Sequence, residues 1–549
     1  LIALQELPMH GLMMDSELTI TSLMTYAERV HGASEIVSVT VDNPRHRYSF
    51  ADAFRRTRQL ANSLQKLGAK KGDCIGTLAW NDHRHFELYY GISCSAMICH
   101  TINPRLFAEQ IEFIINHAED QFIFVDVLFL PLLEQLQGKM PTVKGIIVLT
   151  DQAHMPQSSL DNVYCYEALL AAESDVFVWP SIDEREASVL CYTSGTTGHP
   201  KGVLYNHRST VLHAYAASLP DVMGISSKDV VLPIVPMFHV NAWGLPYGAS
   251  MTGAKVVFPG PKLSDGEALT ALINEEKITF SAGVPTIWLA LLQYLEQSGK
   301  TIEPLQRVVV GGAACPLSIM EKFENKHGVY THAAWGMTEM SPLGTFNAKL
   351  DRAALGEQDY TRMRLKAGRA IYGVEMKIVD DENNELPWDG VAFGRLKVRG
   401  PWVCRTYFKL ENSDAHDQDG WFDTGDVATI DANGYMQITD RSKDVIKSGG
   451  EWISSIDLEN AAINHPDVAE AAVIGMPHKK WTERPLLLVV KKTGAAVSRE
   501  QMLEWFKGKV ANWWIPEDCV FVEQLPHTAT GKLNKKALRE QYKDYQFPV

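Results

Sequence analysis

The sequence predicts an α/β protein, with a large N-terminal domain of parallel sheets flanked by helices and a smaller C-terminal domain. Three observations predict it. Helix-period and strand-period segments alternate from Phe50 to about Thr150 and again from Ala268 to Lys326, the pattern of parallel strands joined by crossover helices. Near Gly373 the alternation gives way to adjacent strand-like segments, and after Asp444 a shorter α/β pattern runs to the end. A chain of 549 residues also exceeds what one hydrophobic core usually serves.

Phe54, Leu60, Ala61, Leu64 and Leu67 mark one face of a helix that Gly68 stops. Cys74–Ala79 reads as a strand, Leu106–Asp120 as a helix, and Gln121–Asp126 and Gly145–Thr150 as strands. Ala187–Tyr192 is apolar and β-prone, which suits a buried strand, and His207–Leu219 carries apolar residues at helical spacing. Then come helix Ala268–Lys277, strand Thr279–Val284, helix Ile287–Gln297, strand Arg307–Gly312 and helix Pro316–Lys326. Val374–Leu386 and Gly394–Gly400 alternate as antiparallel strands, and Asn433-Gly434 favours a tight hairpin turn. The C-terminal domain reads as helix Leu458–His465, strands Ala471–Met476 and Leu486–Lys492, helix Met502–Val510, strand Val520–Leu525 and helix Lys535–Tyr542. The polar stretch Asp440 to Lys443 is the expected hinge, dividing a large domain (1–439) from a small one (444–549).

Hydrophobic residues make up 46% and charged residues 21%, the composition of a soluble globular protein. A net charge of −14 argues against a nucleic-acid surface and against an anionic membrane. The eight cysteines are scattered, with no CxxC pair and no zinc spacing, and read as thiols of a reducing compartment. No basic-apolar leader and no apolar run of about 18 to 20 residues is present, so a cytoplasmic protein without membrane insertion is expected.

Chemistry concentrates in the stretch YTSGTTGHPKG, Tyr192 to Gly202. It reads as a strand-to-helix loop in which Gly195 and Gly198 let backbone approach a ligand while Thr193, Ser194, Thr196 and Thr197 donate, a chemistry that suits phosphate oxygens. It is not a Walker loop, because its glycines are three apart and Lys201 follows His-Pro. A flexible surface loop is the bland alternative. In HAAWGMTEMSP, Trp335 offers an aromatic face to a base, and Glu339 a hard oxygen to Mg²⁺; a buried Trp with a capped helix start explains the segment equally well. FDTGD sets Asp426 beside a glycine just before the hairpin, where it could accept from ribose hydroxyls or merely cap a turn. Lys532, in the Thr-rich HTATGKLNK, could reach a phosphate or be a plain surface lysine.

Taken in order, YTSGTTGHPKG, WGMTE, FDTGD, DRSKDVIKSGGEWIS and TATGK closely resemble the adenylate-forming superfamily of acyl-CoA synthetases, luciferases and peptide-synthetase adenylation domains. FHVNAWG (238–244), VVVGGAACP (308–316) and KSGGEWISS (447–455) narrow the resemblance to fatty acyl-CoA synthetases.

The resemblance implies an added distorted β-barrel in the large domain and a mobile α+β C-terminal domain. It implies a two-step reaction: carboxylate and MgATP give an acyl-adenylate and diphosphate, and the thiol of coenzyme A then displaces AMP. The acid is expected to be short to medium-chain, with 3-(methylthio)propionate as the specific expectation. By the same carry-over Lys532, Glu339 and His239 are catalytic, and Thr193 and Glu339 hold Mg²⁺. Thr193 to Gly198, Lys201, Gly311, Ala333, Ala334, Trp335, Gly336, Met337, Thr338, Asp426, Arg441, Lys443, Lys447 and Trp452 contact ATP. His239, Val240, Trp243, Gly311, Gly312 and Pro342 line the acyl end, Gly312 leaving room for the chain. Plain core packing is the alternative for Trp243. Ser448, Gly449 and Gly450 face coenzyme A, with a simple tight turn as the competitor. Ala333-Ala334 and Trp335 depart from the family's usual pair and its common Tyr, which leaves the depth of the acyl pocket open. The entry GLMMDSEL resembles synthetases that dimerise through this region, so a homodimer is expected. The rival reading is an adenylation enzyme that loads a separate carrier protein. A binding protein that merely kept the fold fits less well, since Glu339 and Lys532 are both present.

Overall fold

Most helices and strands fall where side-chain periodicity puts them, in a computed structural model that describes residues 11–193, 199–410, 413–441, 443–448, 451–478, 480–527 and 533–548, with backbone alone at Lys447, Glu451 and Trp452. The first helical stripe becomes Phe50–Lys66, capped by Ser49 and followed by Gly68 at φ 90°. Three sheets organise the described residues.

A seven-stranded sheet runs in the order Val163–Cys165, Gly145–Val148, Phe122–Val125, Cys74–Leu78, Ile98–Thr101, Ala187–Tyr192, Gly202–Asn206. All its pairs are parallel except the last. That last pair corrects a sequence expectation: the glycine loop joins two antiparallel strands, and the helix His207–Ala217 begins only after the second. Gly202–Asn206 escapes sequence reading because it is short and Leu204, in its middle, faces solvent.

The second sheet has thirteen strands. Its parallel half includes Val230–Pro233, Phe280–Gly283, Arg307–Val310 and Tyr330–Gly336, and its antiparallel half continues through Leu343–Phe346 to the strands after Gly368. The latter are the strands expected in the barrel; among the described residues their pairing is a path that does not close. FDTGD lies inside the strand Phe422–Ile430 and not in a turn before it. The hairpin turn itself is at Gly434, φ 80°, with Asp431 accepting from the backbone of Asn433 and Tyr435.

Between these two sheets lies the helix His83–Cys94, buried at every position. A helix buried all round must pair its polar groups. Glu87 accordingly accepts from Arg56 at 2.7 Å, and Arg84 from this helix reaches Asp42 at 2.9 Å and Glu167 at 2.8 Å.

The third sheet is built only from strands after residue 445, in the order Glu451–Ile453, Ile446–Ser448, Thr482–Lys491, Val468–His478, with Asp518–Phe521 beside Thr482–Lys491. The segment before it is pinned to it: Asp440 Oδ2 accepts from Ser455 N at 2.6 Å, and the Ser454 hydroxyl donates to the Thr439 carbonyl. Among the described residues no helix is long and apolar enough to cross a membrane.

Candidate functional site

Four parallel strands of the second sheet end on one side of the molecule, and the residues just past or at those ends, Val235, Val284, Gly311 and Trp335, line a cleft of about 710 Å³. Carboxyl ends of parallel strands are where open α/β sheets bind ligands. The opposite wall comes from the C-terminal part, through Lys443, Asp444, Lys535, Lys536 and Arg539. A cleft with cations on its far wall draws anionic groups.

The base of the glycine loop is closed by Thr193 N donating to Lys201 O at 2.9 Å. His199 stacks on Phe113 at 4.4 Å, and the Tyr192 hydroxyl is hydrogen-bonded to His117 Nδ1 at 2.7 Å, so the loop's stem is fastened to the helix Ala108–Ala118. Lys201 Nζ stands 4.7 Å from the Tyr407 ring centre. The Tyr407 hydroxyl donates to Glu339 Oε1 at 2.8 Å. Glu339 is buried yet lines the cleft, and burial pushes its carboxyl above the ordinary range. Its backbone is held as well: Cys404 N donates to Glu339 O at 2.7 Å, and the Tyr205 hydroxyl to Thr338 O at 2.5 Å.

Trp335 closes the strand Tyr330–Gly336 at a bulge. Gly336 has no alternative there, because a Cβ would come within 2.0 Å of the Pro342 carbonyl oxygen. The indole N–H donates to Asp426 Oδ2 at 2.9 Å, and Arg441 Nε meets Asp426 Oδ1 at 2.8 Å.

On the acyl side, Val240, Asn241, Ala242 and Trp243 all take φ between 48° and 56°, a left-handed turn made without glycine. Each such residue costs about 1 to 2 kcal/mol, so neighbours must hold the turn. Asn81, wholly buried, does so at its entrance by donating to Pro233 O and Val235 O at 2.8 Å each while accepting from Met237 N at 2.6 Å. At its exit Gly244 faces His213, whose Nε2 accepts from Leu343 N at 3.2 Å; burial pulls this imidazole down to about 4 and keeps it neutral. The turn lays Trp243 against Gly311, where a Cβ would stand 2.9 Å from Cη2 of the indole. Gly312 differs: its φ of 79° demands glycine for conformation, and the nearest side-chain atom to a Cβ there is on Val284 at 3.2 Å. A backbone reason for glycine at 312 thus stands beside the expectation that it leaves room for the chain.

Of the residues singled out from sequence, Thr193, Lys201, His239, Val240, Trp243, Gly311, Gly312, Ala334 to Glu339, Pro342, Arg441 and Lys443 line this one cleft. Ala333 is buried within its strand, and Asp426 lies just behind the lining residues Thr424 and Gly425. Lys447 and Trp452 pair across the hairpin that Ser448 ends. Ser194 to Gly198, Gly449, Gly450 and Lys532 lie outside the described residues. Sequence reasoning missed Tyr407, Asn81, His213 and Arg105, the last lining the cleft with its guanidinium 5.8 Å from the Phe238 ring centre. None belongs to a glycine-rich or charged motif; only the fold brings them here.

The model of the AMP-binding enzyme family matches residues 26–408, and that of the AMP-binding enzyme C-terminal domain matches 457–532. The chain is 51% identical over 537 residues to 3-methylmercaptopropionyl-CoA ligase of Ruegeria lacuscaerulensis, covering 98% of this chain and 99% of that one. It is 48% identical to medium-chain-fatty-acid–CoA ligase of Ectopseudomonas oleovorans, with 98% of each covered. Among solved structures, the anthranilate CoA ligase AuaEII in complex with anthranoyl-AMP aligns with a TM-score of 0.84 at 26% identity, over 95% of this chain and 97% of that one. Matched by these models over most of its length and sharing half its residues with such relatives, the chain belongs to the AMP-binding enzyme family and stands among its coenzyme A ligases.

Proposed function

We propose that the protein is an ATP-dependent acid–thiol ligase that converts a short to medium-chain carboxylic acid, ATP and coenzyme A to acyl-CoA, AMP and diphosphate through an acyl-adenylate. The observation that carries this reading is the convergence of Lys201, Trp335, Glu339, Trp243 and Arg441 on one cleft. A carboxylate cannot expel oxide, and its conversion to a mixed anhydride with AMP supplies a stable leaving group.

In this reading the backbone and hydroxyls of Thr193 to Gly198, with Lys201, grip the β and γ phosphates. Ala333 to Thr338 with Gly311 border the base, which rests on Trp335. Asp426 receives the ribose hydroxyls, and Arg441, Lys443, Lys447 and Trp452 approach the nucleotide from the hinge side. Glu339 and Thr193 offer hard oxygens of the kind that suit Mg²⁺, and a carboxylate this buried yet facing the cleft fits a cation. When bound, that ion offsets the charge of the phosphates. His239 and Val240 border the reacting carboxyl, while Trp243, Gly311, Gly312 and Pro342 bound the acyl end.

We assign Lys532 to stabilising the charge that develops during adenylation, and Ser448, Gly449 and Gly450 to the face that meets the pantetheine arm. The hinge at 440–443 then divides a large domain (1–439) from a small one (444–549). The third sheet, built only of strands after residue 445, supports this division. A homodimer is part of the proposal, supported by Leu12, Met13 and Met14, which stand more than four-fifths exposed.

For the acid we propose 3-(methylthio)propionate, on the names of the Ruegeria relatives at 51% and 50% identity and on a pocket that Trp243 bounds. The test is diphosphate release and thioester formation across 3-(methylthio)propionate, straight-chain, branched and aryl acids, with and without coenzyme A. Adenylate formation without transfer to free coenzyme A would favour a carrier-protein acceptor.

A further inference from the structure

Trp335 and Asp426 meet side chain to side chain across 91 positions of sequence, the indole N–H donating to Oδ2 at 2.9 Å. Arg441 stands directly opposite Asp426 in the antiparallel strand pair and gives its Nε to Oδ1 at 2.8 Å. The two donors differ in rigidity. Arg441 ends a long stem whose side chain is 42% exposed. The indole is seated: a Cβ on Gly344 would come within 2.5 Å of its Cζ3, so only bare backbone fits beneath the six-membered ring. The bulge at Trp335 and Gly336 fixes where the ring is aimed. Asp426 is pinned from its own strand too, its N–H donating to Thr424 Oγ1 at 3.1 Å. An ionised carboxylate has about four lone-pair sites, so two donors leave one site on each oxygen.

We propose that Trp335 is a positioning residue that acts through Asp426: its N–H sets the carboxylate so that the remaining lone pairs meet a ribose diol, coupling the base platform to sugar recognition. This rests on the reading that Asp426 receives the ribose hydroxyls. A phenyl or phenol ring at the same place keeps an aromatic face for the base and offers no N–H to Oδ2, so the carboxylate is left to the more exposed Arg441.

Dissociation constants for ATP and 3′-deoxy-ATP, measured calorimetrically on the wild type and on W335F, W335Y and W335H, test it. The wild type is expected to favour ATP by on the order of tenfold, the scale of a hydrogen bond to a charged group. W335F and W335Y should each bring that preference below about threefold, and W335H, whose ring keeps an N–H, should recover part of it. The two rings without an N–H provide independent tests if one of them fails to fold, W335F being the one with no donor of any kind. An undiminished preference in W335F or W335Y overturns the proposal, as does equal weakening of both nucleotides that leaves the ratio intact. A wild type that does not distinguish the nucleotides overturns the ribose reading of Asp426 and this inference with it, an outcome visible before any variant is made.

Discussion

The Tyr407 hydroxyl donates to Glu339 Oε1 at 2.8 Å while the Tyr407 ring sits 4.7 Å beneath the Lys201 ammonium, so one tyrosine joins a cation and a carboxylate that are 138 positions apart. The donor matters because burial disfavours the Glu339 charge and the hydrogen bond offsets part of that penalty. Tyr407→Phe should therefore raise the Mg²⁺ concentration needed for half-maximal diphosphate release by on the order of tenfold. Tyr407→Leu removes the ring as well and should further weaken nucleotide binding without metal. Identical Mg²⁺ titrations for wild type and Tyr407→Phe would show that the bond is incidental.

Gly311 and Gly312 separate by mechanism. A methyl at Gly311 meets the Trp243 indole at 2.9 Å and the Ala334 carbonyl oxygen at 3.1 Å, so Gly311→Ala must move Trp243. Its kcat/KM profile across acids of increasing chain length should change by roughly tenfold at one end, with overpacking costing about 1 to 3 kcal/mol. Gly312→Ala places a side chain at φ 79° and should lower the melting temperature, by about 1 to 2 kcal/mol in stability, while leaving the chain-length profile in place. If Gly312→Ala reshapes the profile and Gly311→Ala does not, the assignment is reversed.

These residues also mark how far sequence reading reaches. Trp335, Glu339 and Lys201 are legible because their chemistry is concentrated in short motifs. Tyr407 is not, since its use depends on Phe408 N bonding to Gly202 O at 2.8 Å, a contact that lays one distant segment across another. FDTGD reads as a turn because its glycine does turn: Gly425 takes φ 70° inside a strand, an irregularity that sheet neighbours stabilise and composition cannot announce. The left-handed turn before Gly244 has little sequence signal, because Val240, Ala242 and Trp243 avoid that conformation and only Asn241 among the four favours it. Long parallel strands and their helices follow from period alone; the site's positioning contacts follow from packing between elements.

His213 gives the fold a dependence on pH. Burial pulls its folded-state value to about 4, against an ordinary imidazole near 6.5. A folded value below the unfolded one means that the unfolded chain takes the proton first as pH falls. Stability is full above about 6.5 and is lost between 6.5 and 4. At pH 5 this one ring accounts for about 2 kcal/mol of lost stability, at about 1.4 kcal/mol per unit. His213→Gln keeps an acceptor for Leu343 N without titrating. The difference in urea midpoint between pH 7 and pH 5 should shrink in that variant, and an unchanged difference would assign acid sensitivity elsewhere.

Lys532 carries the sharpest test of the two-step reading. Its neighbours in sequence, Leu533, Asn534, Lys535 and Lys536, line the same cleft as Glu339. Lys535 is not free to substitute, because its ammonium is engaged by Glu459 at 2.8 Å and by the Ser455 hydroxyl at 2.5 Å. A cation that stabilises charge developing between carboxylate and α-phosphate acts in adenylation only, and its removal should cost on the order of 10²-fold or more in that step. In the proposed reading Ser448 to Gly450 serve the other half-reaction, and a hinge at 440–443 exchanges the two. Lys532→Ala should therefore abolish diphosphate release from acid and ATP yet convert a supplied acyl-adenylate to thioester at near wild-type rate. A bulky residue at Gly450 should do the reverse. Equal loss of both half-reactions in Lys532→Ala, or full activity with acid and ATP, would remove Lys532 from the mechanism and leave adenylation to other cations that line the cleft, Lys201 and Arg441 among them.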